Sequence, residues 1–441
     1  MDIFLVLLLL MPPAYGEKTI KYAAVIYRHG DRTTVDSYPN DPWKDESLWP
    51  EPFGQLTNTG KRQHYKFGKW LRVKYPTLIS EKYDAKEVYI RSTDVDRTLM
   101  SAQANAAGMY PPSGDAVWNP NLLWQPIPVH TLPEKWDQIL AMKRKCVPYD
   151  QEKQRYMNSV TYKEKLEKYQ SLMEYTTVNS GKKIKNFEDI NDIYNILYVE
   201  TLYNFSLPKW TTAVYPEKLR EPACYSFKVA TATPLMSRLM VGPLLQEIVG
   251  KMKMIIKGLQ PLKLAIYSGH DFTIGNILNS IGVYDGNCPV YTATIIFELL
   301  EDVDTNEYFI RMLYRNSIEL IEPVVIYIPR CGKLCKYQRF IELYENLLTV
   351  DWDHECEKQI LPTLGIASVV GIVIFVVIVK KLYSRRMHER IRYICAVLCN
   401  PRLICAQVLA FLYLLYFIPV FFMLNFSILC ALFSIIRDIF S

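Results

Sequence analysis

The chain has 441 residues, half of them hydrophobic, and a formal net charge of +6. The charge is small for this length and Lys and Arg alternate with Asp and Glu, so no basic stripe of the kind that binds nucleic acid is present. Apolar residues concentrate at the two ends, which leaves a stretch between them long enough for one large globular domain.

The first 16 residues are typical of a secretory signal peptide. An apolar run at 3–11 precedes Ala14-Tyr15-Gly16, a small-x-small cleavage pattern. The run is too short to cross a bilayer, although an uncleaved N-terminal anchor is an alternative. We therefore expect a mature chain that begins at Glu17 on the secretory side of a membrane.

Residues 17–360 have the composition of a globular ectodomain in which strands and helices are mixed. Alternation and continuous apolar runs predict strands, and apolar residues spaced three or four apart predict helices. The predicted elements are a strand at 20–27, a helix at 57–75, a strand at 87–90, a helix at 94–110, a mostly helical cap at 133–222, a strand at 262–267 and a hairpin at 292–300 and 308–314. This order predicts an α/β fold, a layered mixed sheet with helices on both faces and a smaller helical cap.

The C-terminal part changes character. Residues 361–379 are uncharged, apolar and long enough for a transmembrane helix. Residues 380–402 are basic, which predicts a cytosolic segment and places the ectodomain on the opposite side. A second hydrophobic segment at 403–436 is either another transmembrane helix or a translated extension of the gene, and the residues do not separate these alternatives.

Six of the ten cysteines lie in the globular part and are Cys146, Cys224, Cys288, Cys331, Cys335 and Cys356. An even number behind a signal peptide favours disulfides over a metal site. The Cys331–Cys335 spacing has no second ligand pair nearby, so we expect no metal. The sequence Asn204-Phe205-Ser206 matches the Asn-x-Ser/Thr pattern of N-glycosylation, and we expect Asn204 to be an acceptor because a loop on the secreted side would expose it.

The first candidate site is Arg28-His29-Gly30-Asp31-Arg32, directly after the first strand. The carboxyl ends of strands in open α/β sheets form the ligand crevice. Two arginines so close together repel each other unless an anion bridges them, and phosphate fits their forked donors. A neutral imidazole can attack phosphorus, so the motif predicts a phosphate-binding loop with His29 as nucleophile; a charged surface loop is the alternative.

The second candidate site surrounds the start of the helix at 94–110. Thr93 and Asp94 are the expected N-caps, since both can accept bonds from free backbone N–H groups. Arg97 then lies in the first turn, where a cation is unfavourable unless an anion is close. For Arg91 we expect an ion pair with Asp94 or Asp96.

The third candidate site, His270-Asp271, again follows a buried strand directly. The histidine can donate to a phosphate oxygen, and the carboxylic acid can protonate a leaving oxygen. This role needs a protonated Asp271, and we expect burial beside phosphate charge to raise its pKa.

Together these motifs resemble the histidine acid phosphatases, and most of all the prostatic and lysosomal branch with its insect members. The resemblance extends from about residue 20 to 356. It is carried by Tyr27-Arg28-His29-Gly30-Asp31-Arg32, Phe53-Gly54-Gln55-Leu56-Thr57, the string from Val88 to Met100, Trp124-Gln125-Pro126-Ile127-Pro128-Val129-His130 and Tyr267-Ser268-Gly269-His270-Asp271.

The resemblance implies a phosphomonoesterase that forms a phosphohistidine on His29 and needs no metal or cofactor. It implies that Asp271 donates the proton and that four side chains hold phosphate, namely Arg28, Arg32, Arg97 and His270. Family members often form homodimers, so a homodimer is one expectation for this chain.

Two cysteines of the family branch are absent here, one replaced by Val199 and the other from a position near Thr294. The resemblance implies the pairs Cys146–Cys356 and Cys331–Cys335. The remaining Cys224 and Cys288 are then expected to bond to each other.

The expected function is hydrolysis of phosphate monoesters on the lumenal or extracellular side of a membrane. Two alternatives are an inositol-polyphosphate phosphatase, and a surface-binding or receptor-like protein that keeps the fold without needing activity. The presence of His29, His270 and Asp271 favours catalysis. Neither cytosolic tyrosine has a bulky apolar residue at the usual place for a sorting signal, so the lysosome and the plasma membrane both remain candidates.

Overall fold

The computed structural model describes residues 18–356 and Lys381. The predicted signal peptide at 1–16, transmembrane helix at 361–379 and second hydrophobic segment at 403–436 lie outside these residues, as does the basic segment at 380–402 except for Lys381. Among the residues that are described, no helix is both long and apolar enough to cross a membrane.

The strands of the described chain form one mixed sheet. They are β1 (Lys18–Arg28), β2 (Val88–Ser92), β3 (Leu264–Gly269), β4 (Thr294–Asp302), β5 (Tyr308–Arg315), β6 (Val324–Val325) and β7 (Cys335–Lys336). Their order is β2-β3-β1-β4-β5-β6, and β7 pairs with β5. The first three are parallel to one another, whereas β4 runs antiparallel to β1 and forms the predicted hairpin with β5.

Helices fill most of the intervals between the strands. The α-helices are α1 (Asn58–Lys74), α2 (Asp96–Met109), α3 (Val147–Met157), α4 (Val160–Glu167), α5 (Gln170–Ser180), α6 (Phe187–Leu202), α7 (Glu217–Val229), α8 (Pro234–Ile256), α9 (Asp271–Ile281), α10 (Tyr337–Leu343), α11 (Glu345–Leu348) and α12 (Trp352–Cys356). Short 3-10 helices are Glu46–Leu48, Gly114–Ala116, Glu134–Trp136 and Lys209–Ala213. The predicted mixed α/β fold is confirmed.

Residues 22–27 of the central strand β1 are buried on both faces, which explains why this part of its sequence is a continuous apolar run rather than an alternating one. Alternate side chains enter different cores, because successive residues of a strand point to opposite sides of the sheet. Val25 packs with residues of α1 and α2, whereas Ala24 and Ile26 pack with residues of α8 and α9. The sheet therefore carries helices on both faces.

Residues 133–222 contain helices and no strand in the part of the chain that the structure describes. Their apolar faces form a separate core around Phe187, Ile190 and Ile193 of α6, with Leu219 and Ala223 of α7. This second core gives the helical segment its own hydrophobic stabilisation beside the sheet.

Candidate active site

The three sequence motifs meet at one edge of the sheet. Strands β1 and β3 are parallel and end in register, with Arg28 beside Gly269, so the residues that follow them are neighbours. The backbone N–H of His29 donates to the carbonyl of Gly269 (3.0 Å), and the rings of His29 and His270 have centroids 5.6 Å apart. Strand β2 ends beside β3 at the same edge and leads into α2, which brings Arg97 to the site.

The His29 ring is buried and oriented by its own loop. Its Nδ1 lies 2.8 Å from the carbonyl oxygen of Gly30, which can only accept, so Nδ1 carries the proton and Nε2 keeps a lone pair. Burial and the positive charges of Arg97, Arg28 and Arg32 lower the pKa of His29 well below its usual value. The imidazole is therefore neutral, the form in which it can act as a nucleophile.

Gly30 is required by the close approach of this loop to α1. A Cβ at this position would lie 2.6 Å from the carbonyl oxygen of Gly60, which is backbone and cannot move aside as a side chain can. Glycine at both positions lets the His29 loop rest directly on the start of α1.

Arg28 and Arg32 are both almost fully buried, at 3% and 7% exposure. The Arg28 guanidinium pairs with the Asp271 carboxylate (3.0 Å) and donates to the Pro289 carbonyl (2.5 Å). It also lies over the ring of Tyr291, with 4.5 Å to the ring centroid, and the Arg32 guanidinium lies 6.0 Å from the same centroid. The electron-rich face of Tyr291 thus partly offsets two like charges held close together.

Tyr291 was not predicted from the sequence as a functional residue. It is fully buried, its hydroxyl donates to the carbonyl of Arg32 (3.3 Å), and its ring lies 5.8 Å from that of His29. It precedes β4, far along the chain from the motif that it contacts, so no local sequence signal connects the two.

Arg97 lies in the first turn of α2, as predicted. Burial and the positive charge of Arg32 lower its pKa to about 10. The Nε atoms of Arg28, Arg32 and Arg97 are buried and have no hydrogen-bond partner among the described residues. Three arginines face the Asp271 and Asp31 carboxylates, so positive charge is in excess, and this favours an anion at the site.

The predicted N-caps of α2 are wrong. The N-cap is Val95, which makes no side-chain cap bond. Thr93 instead bonds through its hydroxyl to Thr98 (2.8 Å) and to Nε2 of His270 (2.9 Å), because its backbone is tied to the end of β3. This contact orients the His270 ring toward the start of α2.

Arg91 forms an ion pair as expected, but not with Asp94 or Asp96. Its partners are Asp137 (2.7 Å) and Glu247 (3.4 Å), which are distant in sequence. The side chain leaves β2 away from the start of α2, so the nearby acids are out of reach.

His270 and Asp271 begin α9 and are both largely buried. Burial and the charge of Arg97 lower the pKa of His270 to about 3, so its ring is neutral. Burial raises the pKa of Asp271, but Arg28 at 3.0 Å and the other nearby groups together lower it below the usual value. Asp271 is therefore a carboxylate paired with Arg28. The rise expected beside phosphate charge stays a prediction.

Asp31 holds the His29 loop in place through hydrogen bonds to other elements. Its Oδ1 accepts bonds from the hydroxyls of Thr57 (2.5 Å) and Tyr203 (3.0 Å). Thr57 is also the N-cap of α1, where its hydroxyl accepts from Gly60 N. The His29 loop is thus fastened to α1 and to the residue that follows α6, contacts that were not predicted.

The six cysteines of the described chain form three disulfides, which are Cys146–Cys356, Cys224–Cys288 and Cys331–Cys335. Val199, at a position where the resembling branch has cysteine, is buried and packs with Trp49 and Tyr291. Asn204 is exposed just after α6. In the described range, no group of three or more His, Cys, Asp or Glu side chains is placed to hold a metal ion.

Comparison with known families shows to which family the chain belongs. The family model described as "Histidine phosphatase superfamily (branch 2)" matches residues 19–315, which include every residue of the arginine and histidine cluster. The chain belongs to this superfamily. The motifs identified from the sequence are thus those of a histidine phosphatase, and the resemblance to prostatic and lysosomal acid phosphatases is confirmed.

Two curated relatives show how far this similarity extends. The histidine phosphatase chain is 39% identical over 344 residues to prostatic acid phosphatase of Homo sapiens, covering 77% of this chain and 88% of that protein. It is 36% identical over 360 residues to lysosomal acid phosphatase of Xenopus laevis, covering 80% and 83%.

A solved structure of Hafnia alvei phytase in complex with tartrate has the same fold. Its TM-score is 0.58 at 15% sequence identity, and the alignment covers 76% of this chain and 98% of that one. At this identity the likeness concerns the fold alone.

Proposed function

We propose that the chain hydrolyses phosphate monoesters through a phosphohistidine on His29 and uses no metal ion. The observation that carries this proposal is the neutral His29 ring, whose free Nε2 lies near three arginines, two of them buried. The arginines supply the positive charge that a transferring phosphoryl group requires, and the imidazole supplies the attacking lone pair.

In the first step a phosphate monoester binds with its non-bridging oxygens toward Arg28, Arg32, Arg97 and His270. Nε2 of His29 attacks phosphorus, and the P–N bond forms as the P–O bond to the alcohol breaks. Asp271 gives its proton to the leaving oxygen, so the alcohol departs neutral. The hydrogen bond from Nδ1 to the Gly30 carbonyl stabilises the positive charge that develops on the ring.

In the second step water hydrolyses the phosphohistidine. The Asp271 carboxylate takes one proton from the water as its oxygen attacks phosphorus, and the P–N bond breaks. His29 regains its lone pair on Nε2, and inorganic phosphate leaves with the proton that Asp271 took from water. Asp271 is then again the carboxylate that pairs with Arg28.

An acid optimum follows from the ion pair between Arg28 and Asp271. Because the pKa of Asp271 is lowered, this group does not carry its own proton at the start of the cycle. A phosphate monoester has a second pKa near 6, so its monoanion, which dominates below about pH 6, can bring the proton with it. Its oxygens also compete for Arg28, which weakens the pair and lets Asp271 accept that proton.

The test is turnover of an aryl phosphate by the full-length chain at mildly acidic pH. His29→Ala is expected to abolish turnover, whereas His354→Ala, which replaces an exposed histidine outside the site, should leave it unchanged. Undiminished turnover by His29→Ala would refute the nucleophile. Phosphate binding without any turnover in the wild type would instead support the receptor-like alternative. Comparison with inositol hexakisphosphate would test the inositol-polyphosphate alternative.

We also propose that the site faces the lumen or the cell exterior and that residues 361–379 anchor the chain. The apolar segments at 1–16 and 361–379 support this topology, as do the three disulfides, which persist in oxidising compartments. Four relatives are named lysosomal acid phosphatase, which supports a lumenal position. Protease protection of a C-terminal tag in sealed vesicles tests this: one span leaves the tag on the cytosolic side, and two spans return it to the ectodomain side.

A further inference from the structure

A cavity of ≈ 340 Å³, outside the candidate active site, lies between α1 and the residues that flank the β4–β5 hairpin. Its size is within the range of small-molecule sites. None of the six residues assigned to phosphate chemistry lines it. The side chains that matter here are Arg62, Lys66, Phe67, Thr292, Arg315 and Glu319.

Arg315 is a buried cation beside this cavity. It is only 3% exposed, and its guanidinium lies over the ring of Phe67 at 4.5 Å from the centroid. Nη2 donates to the Thr292 carbonyl (2.9 Å) and to the Thr294 hydroxyl (3.3 Å). Nε and Nη1 have no hydrogen-bond partner among residues 18–356.

No carboxylate forms an ion pair with Arg315 in the described part of the chain. The backbone carbonyl and the hydroxyl that it contacts are neutral, and Glu322 offsets its charge only in part and without direct contact. Burial lowers its pKa to about 10. A buried cation without a counter-ion is strongly unfavourable, and an anion in the cavity would remove that cost.

Two more cations line the same cavity from α1. Arg62 and Lys66 are four residues apart, so they lie on one face of the helix, and both are exposed. Within the described chain neither makes a salt bridge. Glu319 is the acidic side chain among the lining residues, so positive charge exceeds negative charge by two.

We propose that this cavity binds a small tetrahedral oxyanion, inorganic phosphate or sulfate, between Arg315, Arg62 and Lys66. Arg315 attracts such an anion by its charge from the buried side of the cavity, and the two exposed cations can donate to the oxygens from the open side. The site is separate from the catalytic arginines and does not depend on the proposed reaction.

Equilibrium dialysis of the full-length chain in detergent against radiolabelled phosphate tests this proposal. We expect a second phosphate per chain beyond the one at the catalytic arginines. Arg62→Gln/Lys66→Gln should weaken that second binding on the order of tenfold, because it removes two charge-assisted contacts at exposed positions where folding is not at risk. Arg315→Gln should abolish it. Lys69→Gln replaces an exposed lysine of the same helix that does not line the cavity and should change nothing.

The stoichiometry separates this site from the catalytic one. A single phosphate whose binding ignores Arg62→Gln/Lys66→Gln would overturn the proposal, as would a second phosphate that survives all of these variants. A single phosphate that is lost in Arg62→Gln/Lys66→Gln would support this site and count against binding at the catalytic arginines. Repeating the dialysis with labelled sulfate, which is not a reaction product, shows whether the site prefers phosphate or takes either oxyanion.

Discussion

Tyr291 supports both arginines of the nucleophile loop, and replacing its ring should impair catalysis without removing any charged group. Its centroid lies 4.5 Å from the guanidinium carbon of Arg28 and 6.0 Å from that of Arg32, and the ring is fully buried. A desolvated cation–π contact contributes about 2 kcal/mol, most of it here from the shorter contact. Tyr291→Leu keeps an apolar side chain but removes the ring face.

If that free energy serves to position Arg28 for the transition state, its loss lowers kcat/KM by about 30-fold. Tyr291→Phe is the matched control, because it keeps the ring and loses only the 3.3 Å hydrogen bond to the Arg32 carbonyl. A neutral hydrogen bond contributes about 1 kcal/mol, so this variant should lose about fivefold at most.

The assay is steady-state turnover of an aryl phosphate at mildly acidic pH, with kcat and KM determined separately. Thermal melting is measured for both variants. A Tm well above the assay temperature shows that a loss of activity does not come from unfolding. Equal activity of the Leu and Phe variants, or wild-type activity of Tyr291→Leu, would refute the positioning role.

The remaining predictions concern the disulfides, a buried carboxyl pair and the proton donor. Cys224→Ala/Cys288→Ala should lower the free energy of unfolding by about 4 kcal/mol and Tm by about 6 °C, because that disulfide joins cysteines with a sequence separation of 64. Cys331→Ala/Cys335→Ala, where the separation is 4, should lower the free energy of unfolding by only about 2 kcal/mol. Equal losses by calorimetry, or a free Cys224 thiol in peptide mapping, would contradict this. Burial and the nearby charge of Asp41 raise the pKa of Glu200 from 4.5 to about 9. Between pH 4.5 and about pH 9 the folded state therefore binds more protons than the unfolded state, so the free energy of unfolding falls as the pH rises through this range. The Tm difference between pH 5 and pH 8 should therefore shrink in Glu200→Gln, and an unchanged difference would count against a protonated Glu200. Asp271→Asn should slow an alkyl phosphate far more than an aryl phosphate with a good leaving group, since only the alkoxide needs protonation, and equal slowing would exclude Asp271 as the acid.

The sequence is most informative where local chemistry decides the structure. The runs at 20–27 and 262–267 predict buried strands because each is apolar except for one lysine, and both form strands that are followed directly by a histidine. Since parallel strands end at the same edge of a sheet, this placement alone predicts that His29 and His270 lie close together.

Contacts between distant parts of the chain could not be predicted in this way. Arg91 pairs with Asp137 and Glu247 because of where β2 directs its side chain, whereas sequence spacing suggested the nearest acids. The lowered pKa of Asp271 rests partly on its 3.0 Å contact with Arg28, which is far away along the chain, so no sequence pattern indicated this pairing.

The prediction of the N-cap of α2 was wrong for a related reason. Thr93 and Asp94 both suit that position chemically, but Thr93 is held by His270 and by the backbone of β3. The helix therefore begins after Val95, and tertiary contacts outweigh the local preference for a polar cap.

The central claim is that His29 carries the phosphoryl group between the two steps. Rapid quenching of the full-length chain during turnover of a labelled phosphate monoester, followed by peptide mapping under alkaline conditions, tests it directly. The account predicts an acid-labile phosphate on the peptide that contains His29, and its absence from His29→Ala. A quenched enzyme with no covalent phosphate, or with phosphate on a different residue, would contradict it.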